Sequence, residues 1–423
     1  MMRGDQMTVA HLISFLAARG HCVDLYTLAV DGVLRTEQAH WLRQVCRSVR
    51  IYPQPWRAKL AGFVLGSLSM LPLQVSIFRN SALKRDLATA IGSDEYDIVY
   101  CYYPRTAPAV ANSVQADQAT VSFLALQLSQ TLNTKRMARY EPSRYKRLIY
   151  RIETVLMSRF EARVWQDFDK VVLIGPADVA AVKEQCRAHG QPEIDNWIYG
   201  AHGTDTDKYV PAKPSEIVRG RVIFSGSMLY PPNIQAVLWF VEHVWPAVRA
   251  QVPDATLVIQ GRDPSPKIRE LDERDGIWVT GTVPDVGVLI RSAQVCVNPM
   301  LAAGGMQNKL IEYMACGKAV VASSVANEGI RAPGDVLVVA DAAGDFADAV
   351  NRLLKEPDAA AQLGAAARRY VTSQWTWEKH FLELEQAFYD ALDEHPGDVN
   401  EPGSRPGKEL AATRAATEVN NVD

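Results

Sequence analysis

The chain of 423 residues has only six cysteines, Cys22, Cys46, Cys101, Cys186, Cys296 and Cys316, and no two of them stand in CxxC spacing. Scattered thiols argue against a disulfide frame or a zinc site and suit a reducing compartment. A surplus of positive charge is also lacking. The formal net charge is -3, which argues against a nucleic-acid binder. No uninterrupted apolar run reaches spanning length. The best candidate, residues 58–78, is broken by Gly62, Gly66, Ser67, Ser69, Pro72 and Gln74, which is weak for a spanning helix. Two readings of it stay open: a core helix with its exit loop, or a segment lying on a bilayer surface with Arg57 and Lys59 at its edge. The opening residues show no secretory leader, so the expectation is a cytoplasmic protein. What remains is the composition of a soluble globular protein, too long for one ordinary core, so two domains are expected.

The most informative stretch is 304–317, Gly304-Gly305-Met306-Gln307-Asn308-Lys309-Leu310-Ile311-Glu312-Tyr313-Met314-Ala315-Cys316-Gly317. Two glycines open it, Leu310, Ile311 and Met314 mark one helical face, and Gly317 is the expected stop. Apolar runs on either side, 295–298 and 318–322, read as buried strands. Asn308, Lys309 and Glu312 share the front of the helix. Free N–H groups at a helix start, with a lysine beside them, suit a phosphate. Glu312 can accept hydroxyl protons, as from a ribose. An ordinary solvated Lys–Glu pair would look the same.

Along the chain, 8–19 reads as a helix and 22–29 as a strand, preceded only by Met-Met-Arg-Gly-Asp-Gln. Doubly wound domains begin with a strand that feeds a glycine turn. Arg3-Gly4-Asp5 looks like that turn, so the expectation is that a first strand is missing and that the sheet lacks a central member. Further strands are expected at 49–52, 98–101, 120–124 and 171–174, alternating with helices at 37–46, 81–91 and 177–188, which implies a parallel sheet. Residues 134–163 read as a long helical region with nine Lys and Arg against three Glu. That is either a solvated face or a patch for anionic headgroups or a phosphorylated acceptor. Pro211-Ala212-Lys213-Pro214 marks a linker. The pattern then restarts, with strands at 222–224, 256–259, 277–279, 295–298, 320–322 and 336–339. Gly226, Ser227, Gly261, Arg262 and 304–309 all fall at strand ends, where ligands sit in such sheets. Helices follow at 342–355 and 359–373, with a last one at 375–392, and disorder is expected from 395 to 423. The domains expected are 1–210, completed by the last helix, and 221–374, joined by 211–220.

Several motifs carry a resemblance. They are Phe224-Ser225-Gly226-Ser227-Met228 with Tyr230-Pro231-Pro232-Asn233, Gly261-Arg262, Val279-Thr280-Gly281 with Val283-Pro284-Asp285, and Gln307-Asn308-Lys309 with Glu312-Tyr313-Met314-Ala315. In the first half, Gly203-Thr204-Asp205-Thr206-Asp207-Lys208-Tyr209 and Gly4-Asp5 join them. Together they resemble the GT4 family of retaining glycosyltransferases, most of all the exopolysaccharide sugar transferases associated with PEP-CTERM and exosortase systems. The resemblance implies an α/β GT-B fold, two Rossmann-like domains facing a cleft, with a nucleotide-sugar donor in the second. It implies a ribose contact for Glu312 and no metal or other cofactor. The chain departs from the family at Gly304, eight residues before Glu312, where a glutamate usually contacts the sugar; backbone amides of Gly305, Met306 and Gln307 would take that contact. Met228-Leu229-Tyr230 stands where an Arg and a Lys usually hold the diphosphate, so Lys309 and the amides at Gly226 and Ser227 are the expected substitutes, with Arg262 a weaker one. No acidic residue occurs in 124–129, where one is common. Gly4, Asp5, His202 and Asp205 are the acceptor-side candidates, and no catalytic acid or base is named.

Two functions follow. One is an active bacterial transferase passing a sugar to a polysaccharide or lipid-linked acceptor, peripheral on the inner face of the cytoplasmic membrane through the basic region 135–163. The other is a catalytically inactive GT-B subunit serving as a binding or assembly partner. A GT-B epimerase would need acid/base residues around the donor sugar, which the motifs do not supply.

Overall fold

The computed structural model describes residues 4–29, 36–93, 96–116, 120–141, 143–200, 202–302 and 304–395. The expected tail, 395–423, lies outside them from 396 onward. Twelve strands are described: β1 (Asp24–Ala29), β2 (Ser48–Pro53), β3 (Ile98–Tyr102), β4 (Val121–Gln127), β5 (Lys170–Leu173), β6 (Trp197–Tyr199), β7 (Arg221–Ser225), β8 (Thr256–Gln260), β9 (Ile277–Gly281), β10 (Val295–Asn298), β11 (Ala319–Ala322) and β12 (Val338–Val339). Every pairing between them is parallel. Helices link strand to strand, as parallel connection requires.

The second half forms one sheet of six strands in the order β12-β11-β10-β7-β8-β9. The order reverses between β7 and β10, and crevices form at such points, outside the carboxyl ends of the strands. Residues of β10 and β11 are buried throughout, which explains their unbroken apolar sequence. The first half is assembled differently. Its strands form two sheets, β1-β2 and β3-β4-β5-β6. Helix Gly4–Ala18 packs on both: Leu12 joins Val121 and Phe123 of the larger sheet, while Ile13 joins Leu42 and Cys46 beside the smaller one. Polar groups add a tie. The Tyr96 hydroxyl donates to Asp24 Oδ2 at 2.7 Å, and Arg47 donates to the same carboxylate.

Several expectations need correcting. Gly4 and Asp5 form the first turn of helix Gly4–Ala18 rather than a glycine turn before it. β6 was hidden at the edge of the linker, since three residues carry too little periodicity. The basic region is two helices, Gln130–Tyr140 and Arg144–Val164. The helix after β7 is not continuous: Pro231–Trp239 and Trp245–Gln251 are joined by a wider turn at Phe240–Val244, just before Pro246, which cannot donate an N–H to continue the ladder. Segment 58–78 is a helix, Trp56–Leu68, followed by a short one, Leu73–Ser76. Among the described residues no helix is long and apolar enough to cross a membrane.

The last helix, Trp377–Glu394, returns to the first half, where Phe381, Leu384 and Phe388 pack on Val121 and Phe123. The two passages of the chain between the halves lie side by side. Thr204 pairs with Thr376 in an isolated parallel bridge, and its N–H donates to the Trp375 carbonyl at 2.9 Å. Arg368 binds the same crossing, donating to the carbonyls of Tyr209 and Ala315 at 2.6 Å and of Thr206 at 3.0 Å.

Candidate donor site

The carboxyl ends of β7, β8 and β10 and the start of helix Asn308–Ala315 converge on one place. Gln307 is the N-cap residue of that helix and gives no side-chain cap, so first-turn N–H groups remain available to an anion. Lys309 stands beside them. Its amine donates to Asn233 Oδ1 at 2.5 Å and lies 4.6 Å from the centre of the Phe224 ring. Asn233 is held in turn, its Nδ2 donating to the Ser227 carbonyl at 2.9 Å. Among the described residues Lys309 has no ion pair. Burial pushes its amine down to about 7, against a raising influence of Glu312. The site thus holds a half-buried amine without an ion-pair partner, an arrangement relieved when an anionic ligand arrives.

Glu312 lies on the same helix front. Burial raises its carboxyl, and the Tyr209 hydroxyl, Lys208 and Lys309 each oppose that. Tyr313 faces the other way and pins the helix to β7: its hydroxyl accepts from Ser225 N at 2.6 Å. Glycine is required where β7 and β8 end, because a Cβ at Gly261 would stand 1.9 Å from the Gly226 carbonyl oxygen. That packing brings Arg262 to the rim, half-buried, with its carbonyl accepting from Met228 N at 3.2 Å.

Of the expected donor residues, Gly226, Ser227, Asn308, Lys309 and Glu312 come together. The Gly226 amide is corrected as a phosphate ligand: it donates to the Gln260 carbonyl at 2.9 Å and is spent in the sheet. Gly304 and Gly305 press against the first half. A Cβ at Gly304 would meet Asn133 Oδ1 at 2.9 Å, and one at Gly305 would meet Leu128 at 3.2 Å. Met306 and Gln307 are buried behind them.

The acceptor-side candidates separate. His202 is buried and spans the cleft: Nε2 lies 2.9 Å from Gln127 Oε1, and Nδ1 lies 3.2 Å from Asn308 Oδ1. Asp205 accepts from the N–H groups of Asp207 and Lys208 and so closes its own turn. Gly4 and Asp5 begin the first helix. Sequence reasoning missed Gln127, which has φ +65 at the end of β4, where the register with β5 shifts. A non-glycine residue in that region costs about 1–2 kcal/mol and persists only where its surroundings hold it there. Asn233 and Tyr209 were missed too, although both stood in the quoted motifs.

Burial dominates below the cleft floor. Glu161 accepts from Ser129 Oγ and the Gln130 N–H, and its carboxyl is pushed up to about 7 by desolvation. Asp178 accepts from Ser129 N at 2.9 Å and is raised to about 6 for the same reason. Both serve to fix the loop after β4. Among the described residues no three His, Cys, Asp or Glu side chains converge as a metal site would require.

Residues 219–356 match the family model described as glycosyl transferases group 1. An uncharacterized 44.6 kDa protein in the cps region of Klebsiella pneumoniae is 21% identical over 395 residues, covering 90% of this chain and 95% of its own. Anabaena HepE, solved in complex with UDP, superposes with a TM-score of 0.63 at 15% identity, over 92% of this chain and 96% of its own. Sucrose-phosphate synthase from Thermosynechococcus elongatus gives 0.65 at 18% identity, over 93% and 94%. The chain therefore has the GT-B fold, and its second half is similar to the group 1 glycosyl transferase domain.

Proposed function

We propose that the chain is a glycosyltransferase that moves a sugar from a nucleotide-sugar donor to a polysaccharide or lipid-linked acceptor, with retention at the anomeric carbon, in the building of a bacterial exopolysaccharide or other cell-surface glycan. The observation that carries this reading is the Lys309 amine, held at a helix start by Asn233 with Glu312 one turn behind. The family match over 219–356 and the UDP in the HepE structure support a nucleoside diphosphate as the group bound there. The cps-region relative supports a surface glycan as the product.

In this reading Glu312 takes the ribose hydroxyls. Lys309 and the helix-start amides meet the charge that builds on the leaving diphosphate, as fixed dipoles aimed at developing charge do. Lys309 keeps its proton once the diphosphate is beside it. This needs no metal, as the family resemblance implies. His202, held by Gln127 on one side and Asn308 on the other, stands where the acceptor half meets the donor helix and positions the two. A second reading, a non-catalytic GT-B subunit, is favoured by Gly304, where a glutamate would be expected, and by the lack of an acidic residue in 124–129.

The test is the melting temperature of the purified protein with UDP, GDP, ADP or TDP, repeated with Glu312→Ala. A ligand that binds only the folded form raises it. A rise with one nucleotide, lost in the variant, supports the donor site. No rise with any nucleotide, from folded protein, overturns it. Turnover of the matching nucleotide sugars then separates the enzyme from the non-catalytic subunit.

A further inference from the structure

The hairpin of helices Trp56–Leu68 and Leu73–Ser76 turns its small residues inward and its large ones outward. Gly62 and Gly66 are buried against Ser76. A Cβ at Gly62 would stand 2.3 Å from the Ser76 carbonyl oxygen, and one at Gly66 would stand 1.9 Å from Ser76 Oγ. Helical spacing then sends Trp56, Leu60, Phe63, Val64 and Leu68 away from the protein, and all five are exposed, Leu68 at 80%. A surface helix ordinarily carries polar residues on that side. A second stripe runs along helix Arg144–Val164, where Tyr145, Leu148, Ile152 and Val155 are exposed. The two elements meet at Glu153, whose carboxylate accepts from Leu73 N at 2.7 Å and Gln74 N at 3.1 Å. Exposed large apolar side chains gathered on neighbouring elements mark an interaction site.

The exposed charges that its own segments carry are of one sign. No Asp or Glu stands between Glu37 and Asp86. In 135–163 the only carboxylates are Glu141, Glu153 and Glu161, and all three are buried. Glu141 accepts from Ser143 N, Glu153 caps the hairpin, and Glu161 caps helix Gln130–Tyr140. The outer surface of these segments therefore shows cations alone, in a chain whose net charge is -3. Arg57 lies over the Trp56 ring, 5.5 Å from its centre, at the edge of the apolar face.

We propose that this face docks on an anionic lipid bilayer, its apolar side chains entering the boundary between headgroups and acyl chains while Arg57, Arg144 and Arg151 meet lipid phosphates. Charge decides the occupant. A second copy of the chain would bring two cationic rims together, whereas an anionic bilayer brings the opposite sign. The inference goes beyond the donor-site reading and does not depend on it.

The experiment is flotation of the full chain with vesicles of equal parts phosphatidylcholine and phosphatidylglycerol, and with phosphatidylcholine vesicles alone. The expected result is binding to the anionic vesicles only, weakened by added salt. The variant Leu60→Ser/Phe63→Ser/Leu68→Ser lowers partitioning by roughly a hundredfold. The variant Arg57→Glu/Arg144→Glu/Arg151→Glu lowers it by at least roughly fivefold per side chain. These side chains are exposed, so an unchanged melting temperature confirms that each variant is folded, and its nucleotide-induced rise is read separately. Folded wild-type protein that floats with neither vesicle overturns the proposal, as does binding indifferent to both variants. Equal binding to the neutral vesicles also overturns it. Self-association that the apolar variant abolishes, without vesicle binding, gives the face to a second copy instead.

Discussion

The two halves use the same strand-and-helix alternation to different effect. In the second half six strands form one sheet, and the strands beside the switch point are buried on both faces. In the first half the smaller sheet has two strands, and no residue of β1 is fully buried. Its attachment runs through helix Gly4–Ala18 and through side-chain ties, among them the Asp24, Arg47 and Tyr96 cluster and the Tyr52 hydroxyl on Asp86. A continuous buried sheet gives the donor site fixed walls, with Lys309 and Glu312 on a helix pinned by Tyr313. A divided sheet concentrates local stability in β3–β6 and leaves the outer part to side-chain ties.

The largest consequence is in hydrogen exchange. Amides of β7 and β10 should exchange slower than those of β1 and β2 by about three orders of magnitude or more, and similar protection in both sheets would remove the contrast. Truncations come next. Ile223→Ala should cost about 3 kcal/mol in denaturant unfolding and Leu25→Ala about 1, because only the former empties a fully buried site. Lys309→Ala should then weaken nucleotide binding by roughly tenfold to a hundredfold, since a charge-assisted contact is lost, and should leave the fold intact. Binding should also carry the Lys309 titration. With its amine down at about 7 in the free protein, affinity is highest below that pH and falls about tenfold per unit above it, as isothermal titration across pH would show. Smallest is Asp24→Asn, expected to cost about 1–2 kcal/mol, read as faster exchange in β1 and β2 with β7–β10 unchanged. The native Asp24 carboxyl is held down at about 2, chiefly by Arg47. Its share of stability is therefore present above the ordinary carboxylate range and lost as pH falls toward 2.

Much of this was legible in the sequence, and the reasons differ by residue. β10, β11 and the helix between them announced themselves because a buried parallel strand must be apolar throughout and its helix must show one apolar face. Helix Trp56–Leu68 resisted assignment because its buried stripe is made of glycines, so no side-chain periodicity records which face goes inward. Gln127 was invisible for another reason. Its positive φ is imposed by the end of β4 and the hydrogen bond to His202, and a glutamine carries no signal of it. Asn233 lay in a motif already singled out, yet its bond to Lys309 joins residues 76 apart, a distance that local pattern cannot span.

The bridge between Thr204 and Thr376 has a mechanical consequence. Because the chain's two passages between the halves are stitched together there and clamped by Arg368, they act as one narrow strap rather than two separate tethers. A relative rotation must pivot about that strap, and the displacement it produces grows in proportion to distance from it. Residues beside the strap, His202 among them, move least, while the rim of the cleft sweeps the widest arc. A small change in angle at the pivot would thus become a large change in aperture at the mouth.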